Sequence, residues 1–226
     1  GTLQSSAPVG RNLIINGNMQ IAQRGTSVAG ITTGSGYYTA DRMKIALNRD
    51  ELVLTNEQSS DAPANFDYSY KYTVTTAETT VDAGNFLQAE HFIEGLNTGH
   101  LAWGSSDAKT ITLSFWAKSS STGVFPITLS NNAGDWHYPA SYTIDSANTW
   151  EQKSITITGA TSGTWLNTNS IGIGLRFGIA YGSTYNGATA NAWLNSAGFA
   201  NAFVTQTNTV MTTPSATWQI TGIQLE

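Results

Sequence analysis

The chain contains no cysteine. That removes a disulfide framework, a thiolate zinc site and a cysteine nucleophile, and leaves the compartment open. Charge is also scarce, at 11% of residues, against about 25% in an ordinary soluble domain. The 10 Lys and Arg are outnumbered by 15 Asp and Glu, for a net charge of −5. The basic residues are scattered rather than clustered, so the electrostatic footprint for nucleic acid or an anionic membrane is missing. No apolar run approaches the roughly 20 residues of a membrane-spanning helix. The first residues, GTLQSSAPVGRN, have neither the basic region nor the apolar core of a signal peptide. They read as a flexible lead-in, residues 1–11, cut from a longer protein, with Pro8 and Gly10 marking its end.

Thr, Ser, Asn and Gly take the place of charge. With 7 Trp, 9 Tyr and 8 Phe, this is not the composition of a disordered chain. Helical periodicity is nearly absent, and period-two alternation recurs between turn clusters. It predicts strands near 12–23, 40–47, 51–57, 67–76, 85–94, 109–118, 124–131, 137–144, 150–158, 171–180 and 217–225. The segments GTSVAGITTGSG, NEQSSDAPAN, SSSTG, NNAGD and GATSGTW separate them. Residues 183–216 form a long loop with room for one helical turn near 191–200. The lack of βα alternation gives an all-β antiparallel sandwich of the jelly-roll kind, one domain over 12–226, with its first and last strands adjacent.

Alternation also assigns faces. In ITLSFWAK, Ile111, Leu113, Phe115 and Ala117 point to the core, and Thr112, Ser114, Trp116 and Lys118 point away. In FLQAEHFIEG, Leu87, Ala89, His91 and Ile93 face the core. Phe86, Gln88, Glu90, Phe92 and Glu94 form an opposite face that mixes rings, carboxylates and an amide. His91 therefore reads as a hydrogen-bonded core histidine. In the opening strand Leu13 and Ile15 should be core, and the amides of NGNMQ should satisfy backbone and turn groups.

None of His91, His100 and His137 sits in a nucleophile elbow, a zincin helix or a kinase-like motif. Glu90, Glu94, Asp135 and Asp145 could meet as a glycosidase pair, but no spacing asks for it. No enzyme, cofactor or functional metal is expected. Sugars have apolar faces and hydroxyl rims, and flat rings beside amide, carboxylate or guanidinium groups suit them. The candidates are Trp116 on the outward face of its strand, Trp136, His137 and Tyr138 after the NNAGD turn, and Glu90 with Arg176 as polar partners. Trp116 and Trp136 could instead cap a sheet or a subunit interface. Tyr185, Trp193, Phe199 and Phe203 in the long loop suit either a neighbouring subunit or the loop's own domain.

RNLIINGNMQ at 11–20, AQRG at 22–25, YTADRM at 38–43, IEG at 93–95, LSFWAKSS at 113–120, NTWE at 148–151, ITITG at 155–159 and ITGIQLE at 220–226 occur in that order. Together they resemble bacteriophage tail-fibre and virion structural proteins. Those domains are in turn similar to jelly-roll carbohydrate-binding modules that open on an Asn-Leu-hydrophobic-Asn-Gly strand. The resemblance implies a non-enzymatic virion module of a tail fibre or spike, a homotrimer, with a host-surface glycan and other virion proteins as partners. A purely structural part, such as a capsid decoration or fibre connector, is the alternative. In the carbohydrate-binding modules a carboxylate in the first strand and one in the last hold a structural calcium. Gln20 and Gln224 stand at the matching positions, and amides are weaker calcium ligands. Asp41 and Arg42 read as an intrachain ion pair.

Overall fold

A computed structural model describes residues 11–32 and 34–226; the expected lead-in over residues 1–11 lies outside them except for Arg11. Among the described residues the strands are β1 Ser27–Ile31, β2 Ser35–Gly36, β3 Lys44–Asn48, β4 Val53–Ser59, β5 Ser69–Thr76, β6 Phe86–Glu94 and β7 Ile111–Ser119. They continue with β8 Gly123–Ser130, β9 Trp136–Ile144, β10 Glu151–Ile157, β11 Ile171–Tyr181, β12 Leu194–Asn195 and β13 Thr217–Leu225. The sheets run β1-β4-β5-β13-β7-β10 and β12-β9-β8-β11-β6-β3-β2. Every strand pair described is antiparallel. The fold is an antiparallel jelly-roll sandwich. Among the described residues the helical elements are four 3-10 turns, and no helix is long and apolar enough to cross a membrane.

The core is built by the alternation. Leu113, Phe115 and Ala117 of β7 are buried, and Leu87, Ala89, His91 and Ile93 of β6 face them from the other sheet. Phe115 meets Tyr142 of β9 edge-on at 5.0 Å and Phe177 of β11 at 5.2 Å. Each such ring removed from water is worth about 1.5–3 kcal/mol. The polar ends of buried aromatics find partners across the sandwich. Trp218 Nε1 donates to Tyr142 Oη at 2.7 Å, and Tyr72 Oη donates to the Gln88 carbonyl at 3.3 Å.

Two expectations about the opening segment need correction. Residues 12–23 form no strand, and Ile15 is half exposed while Leu13 and Ile14 are buried. Asn16 and Met19 both have φ near +59°, which breaks the alternation and turns the chain. The amides replace the ladder. Asn12 Oδ1 accepts from the Ile14 and Leu225 N–H groups at 2.9 and 3.0 Å. Asn16 accepts from the Ile21 N–H and donates to the Ile21 and Asp41 carbonyls. The segment still lies beside the last strand, with Leu13 N–H donating to Leu225 at 2.9 Å and Ile223 N–H donating to Gly17 at 3.0 Å. A Cβ on Gly17 would overlap the Ile223 carbonyl, so this approach requires glycine. Asp41 and Arg42 pair with other residues rather than each other: Asp41 with Arg24 at 3.1 Å, Arg42 with Glu94 at 3.8 Å.

Strands β1 and β2 lie inside GTSVAGITTGSG, which reads as a connector because its glycines mask a weak alternation. The 183–216 segment packs on its own sandwich. Its two-residue strand β12 pairs with β9, and the Ala202 carbonyl accepts from Thr128 Oγ1 at 2.7 Å. Asn208 Nδ2 donates to the Ile179 carbonyl at 2.9 Å. The expected helical turn is a 3-10 turn at Ala197–Phe199.

Candidate functional site

Strand register creates a charged row on the outer face of the seven-stranded sheet. Glu90 of β6 stands directly opposite Lys44 of β3 on one side and Arg176 of β11 on the other. Its carboxylate accepts from Arg176 Nε at 3.1 Å, Lys44 Nζ at 3.0 Å and Gln88 Nε2 at 2.7 Å. The guanidinium reaches on to Ser130 Oγ of β8 at 2.7 Å. It can lie flat because the outward neighbour on its own strand is Gly174. A Cβ there would stand 2.8 Å from Arg176 Nη1. Burial lowers the pKa of Arg176 and the Glu90 charge opposes that, so the guanidinium stays charged.

Aromatic rings flank this row. The Arg176 guanidinium carbon sits 4.3 Å from the Phe199 ring centroid and 5.6 Å from that of Phe92, and Lys44 Nζ is 5.3 Å from Phe92. Phe203 stacks on Tyr181 at 3.7 Å, and the Tyr181 hydroxyl donates to Gln88. Phe86 and Tyr185 complete a wall, with rings 5.5 Å apart. Between wall and row lies a cavity of about 270 Å³, lined by Lys44, Glu90, Arg176, Phe86, Tyr185 and Phe199 among others. Further along β6, a second cavity of about 270 Å³ is lined by Tyr37, Arg42, Phe92 and Glu94. The first, a groove floored by charge and edged by rings, shares no lining residue with the second.

Glu90 and Arg176 are thus brought together. The other expected site residues are dispersed. Trp116 is half-buried on the outer face of the opposite, six-stranded sheet, between Gln152 of β10 and Thr221 of β13. Near it Asp61 accepts from Lys118, Trp150 and Gln219, at 2.7, 3.1 and 3.2 Å. Burial alone would raise the Asp61 pKa, but these hydrogen bonds and the Lys118 charge lower it. Trp136, His137 and Tyr138 do not form one ligand-facing group, which corrects the expectation: alternation along β9 turns Trp136 and Tyr138 inward and His137 the other way. Tyr138 is in the core, with its ring 5.2 Å from Trp193. Trp136 is half-buried against Gly163.

His137 is fully buried beneath the long loop. Its Nε2 lies 3.1 Å from the Gly134 carbonyl and 3.2 Å from the Ser196 carbonyl. Two acceptors require a donor, so Nε2 carries the proton and the buried Nδ1 has no partner. Burial pushes the His137 pKa down. The Ser196 and Gly134 carbonyls and the Asp135 charge pull it up, and the Arg176 charge adds to the lowering. Its ring is 4.6 Å from Phe199, so the histidine positions the groove's wall.

A third cavity, about 180 Å³, lies beside Trp103 and Trp165. These two rings and Trp193 are mutually edge-on at 4.8–5.3 Å. Each indole N–H donates to a carbonyl, of Lys109, Ser162 and Thr158 respectively, so this cluster reads as packing. The glutamines at the calcium positions do not fit a metal site. Gln20 donates to Asp67 at 2.6 Å, and Gln224 accepts from Ser114 at 3.5 Å. Among the described residues no three His, Asp or Glu side chains come together to hold an ion.

Lys44, Gln88, Phe92, Tyr185, Phe199 and Phe203 were not among the expected site residues. One signal was present: the outward positions of β11 read Gly172, Gly174, Arg176, Gly178, a strip bare of side chains except for one arginine.

The sequence matches no protein-family model and no curated protein. Solved structures of similar overall form include the enzymatically active domain of bacteriophage CBA120 tailspike protein 4. It aligns with a TM-score of 0.46 and 12% identity, over 95% of this chain and 21% of that one. A putative sugar binding protein from Bacteroides thetaiotaomicron aligns with a TM-score of 0.46 and 12% identity, over 96% and 99% of the two chains. TmCBM61 in complex with β-1,4-galactotriose gives 0.42 and 10%, over 96% and 98%.

Proposed function

We propose that this chain is a glycan-binding module, acting without catalysis, of a virion tail fibre or spike that attaches to host-surface glycans. The observation that carries the binding is the groove beside β6, where the fixed Lys44–Glu90–Arg176 row faces the rings of Phe86, Tyr185 and Phe199. Such a site offers hydrogen bonds to hydroxyls and flat apolar surface to sugar faces. The virion setting and the homotrimer rest on the ordered sequence motifs.

A glycan-array screen of the purified chain tests the reading, with its mass measured by light scattering on the same sample. Specific binding lost in Tyr185→Ala and retained in Trp116→Ala supports it. Loss in Trp116→Ala alone would move the ligand face to the six-stranded sheet. A stable trimer that binds nothing on a broad array would favour a purely structural virion part.

A further inference from the structure

Resting on the glycan-binding reading, we infer that the groove selects acidic saccharides, gripping a carboxylate or sulfate between Lys44 and Arg176. The hydrogen-bond inventory of the groove floor is lopsided. A guanidinium carries five N–H donors and an ammonium three, and neither accepts. Arg176 directs only Nε, to Glu90, and Nη1, to Ser130. Lys44 makes one bond, to Glu90 Oε2. Among the described residues neither head reaches another protein acceptor.

The acceptors, by contrast, are mostly engaged. Glu90 Oε1 takes both Arg176 and Gln88, and Oε2 takes Lys44. Gln88 Oε1 takes the Tyr181 hydroxyl. Two cations line the cavity against one carboxylate, a local positive excess on a chain whose net charge is −5. A neutral sugar hydroxyl can use such donors, but an anionic group uses both their geometry and their charge. Glu90 has one lone-pair site left, on Oε2. It fixes the two cations and sets their separation. The Lys44 side chain is about a quarter exposed and Arg176 about a tenth, and both line the cavity.

The test is binding of the full chain to polygalacturonate, its fully methyl-esterified form, a sulfated dextran and unmodified dextran, by calorimetry. We expect tight binding to one or both anionic polymers. Esterification should weaken polygalacturonate binding by roughly tenfold or more, and Lys44→Met should have a similar effect on the anionic ligand alone. Polygalacturonate against sulfated dextran separates carboxylate from sulfate as the gripped group. Equal binding of neutral and anionic polymers, unaffected by Lys44→Met, would overturn the acidic preference and leave the glycan groove standing. No binding of these polymers, with neutral glycans alone bound on the array, would also overturn it. Failure to bind any glycan would sink the underlying reading. Lys44→Met should retain the parent melting profile within a few degrees, because Glu90 keeps Arg176 and Gln88.

Discussion

Replacing Glu90 by glutamine should unsettle the groove more than any exposed substitution could. The carboxylate is 6% exposed and holds Arg176, itself 11% exposed. Taking away one partner of a buried pair leaves the other charge desolvated, at a cost of about 3–5 kcal/mol. Lys44 is 24% exposed and can turn its head to water, so the lower end, about 3 kcal/mol, is expected for Glu90→Gln. Arg176→Met alone should cost less, because Lys44 and Gln88 still hold the carboxylate. The double variant should return to within about 1 kcal/mol of the parent, because no stranded charge remains. Urea unfolding of all four proteins measures this as a coupling of about 2 kcal/mol or more. A Glu90→Gln cost under about 1 kcal/mol, with additive singles, is the behaviour of an exposed ion pair, and would refute the reasoning. The folded double variant should also fail to bind the groove's ligand, separating the row's role in recognition from its role in stability.

Acid should act through His91, whose buried ring has its pKa lowered from 6.5 to about 4, by burial and then the Arg42 charge, against the opposing pull of the Arg42 backbone. The unfolded chain takes the proton more readily, so the contribution is complete above pH 6.5 and is lost as pH falls toward about 4. It amounts to roughly 3 kcal/mol. His91→Gln should flatten the denaturation midpoint between pH 7 and 4.5 relative to the parent, and parallel profiles would contradict this. Gly174→Ala should push the guanidinium off Ser130 and weaken ligand binding, at about 1–3 kcal/mol of stability for the crowding; calorimetry beside a melting curve separates the two effects. Trp218→Phe removes the bond to Tyr142 Oη and leaves a buried hydroxyl without its partner. A loss of about 1–3 kcal/mol in unfolding free energy is expected, and a neutral result would mean that the core re-forms the bond elsewhere.

Alternation was legible wherever a strand had one dry and one wet face. ITLSFWAK and FLQAEHFIEG assign their inward residues correctly, because a period of two leaves a single way to bury Leu113 and Phe115, or Leu87 and Ala89. The same periodicity put Gln88, Glu90 and Phe92 together on the outward face of β6. It failed where left-handed residues interrupt the pleat, as at Asn16 and Met19, and where short strands hide among glycines, as in β1 and β2. Tyr138 shows the limit from the other side, since three adjacent ring-bearing residues cannot share a face of one strand.

The sequence by itself determined an all-β chain, the core faces of its long strands, and an outward face on which Glu90 stands among aromatics. Only the tertiary structure decided that Glu90 is flanked by Lys44 and Arg176, because the 46 and 86 residues separating them are bridged by sheet order and register, which local pattern does not encode. It likewise decided that Phe199 lies over Arg176. A loop's resting place depends on which surface it can cover and which carbonyls, such as those of Ser196 and Ala202, find donors there.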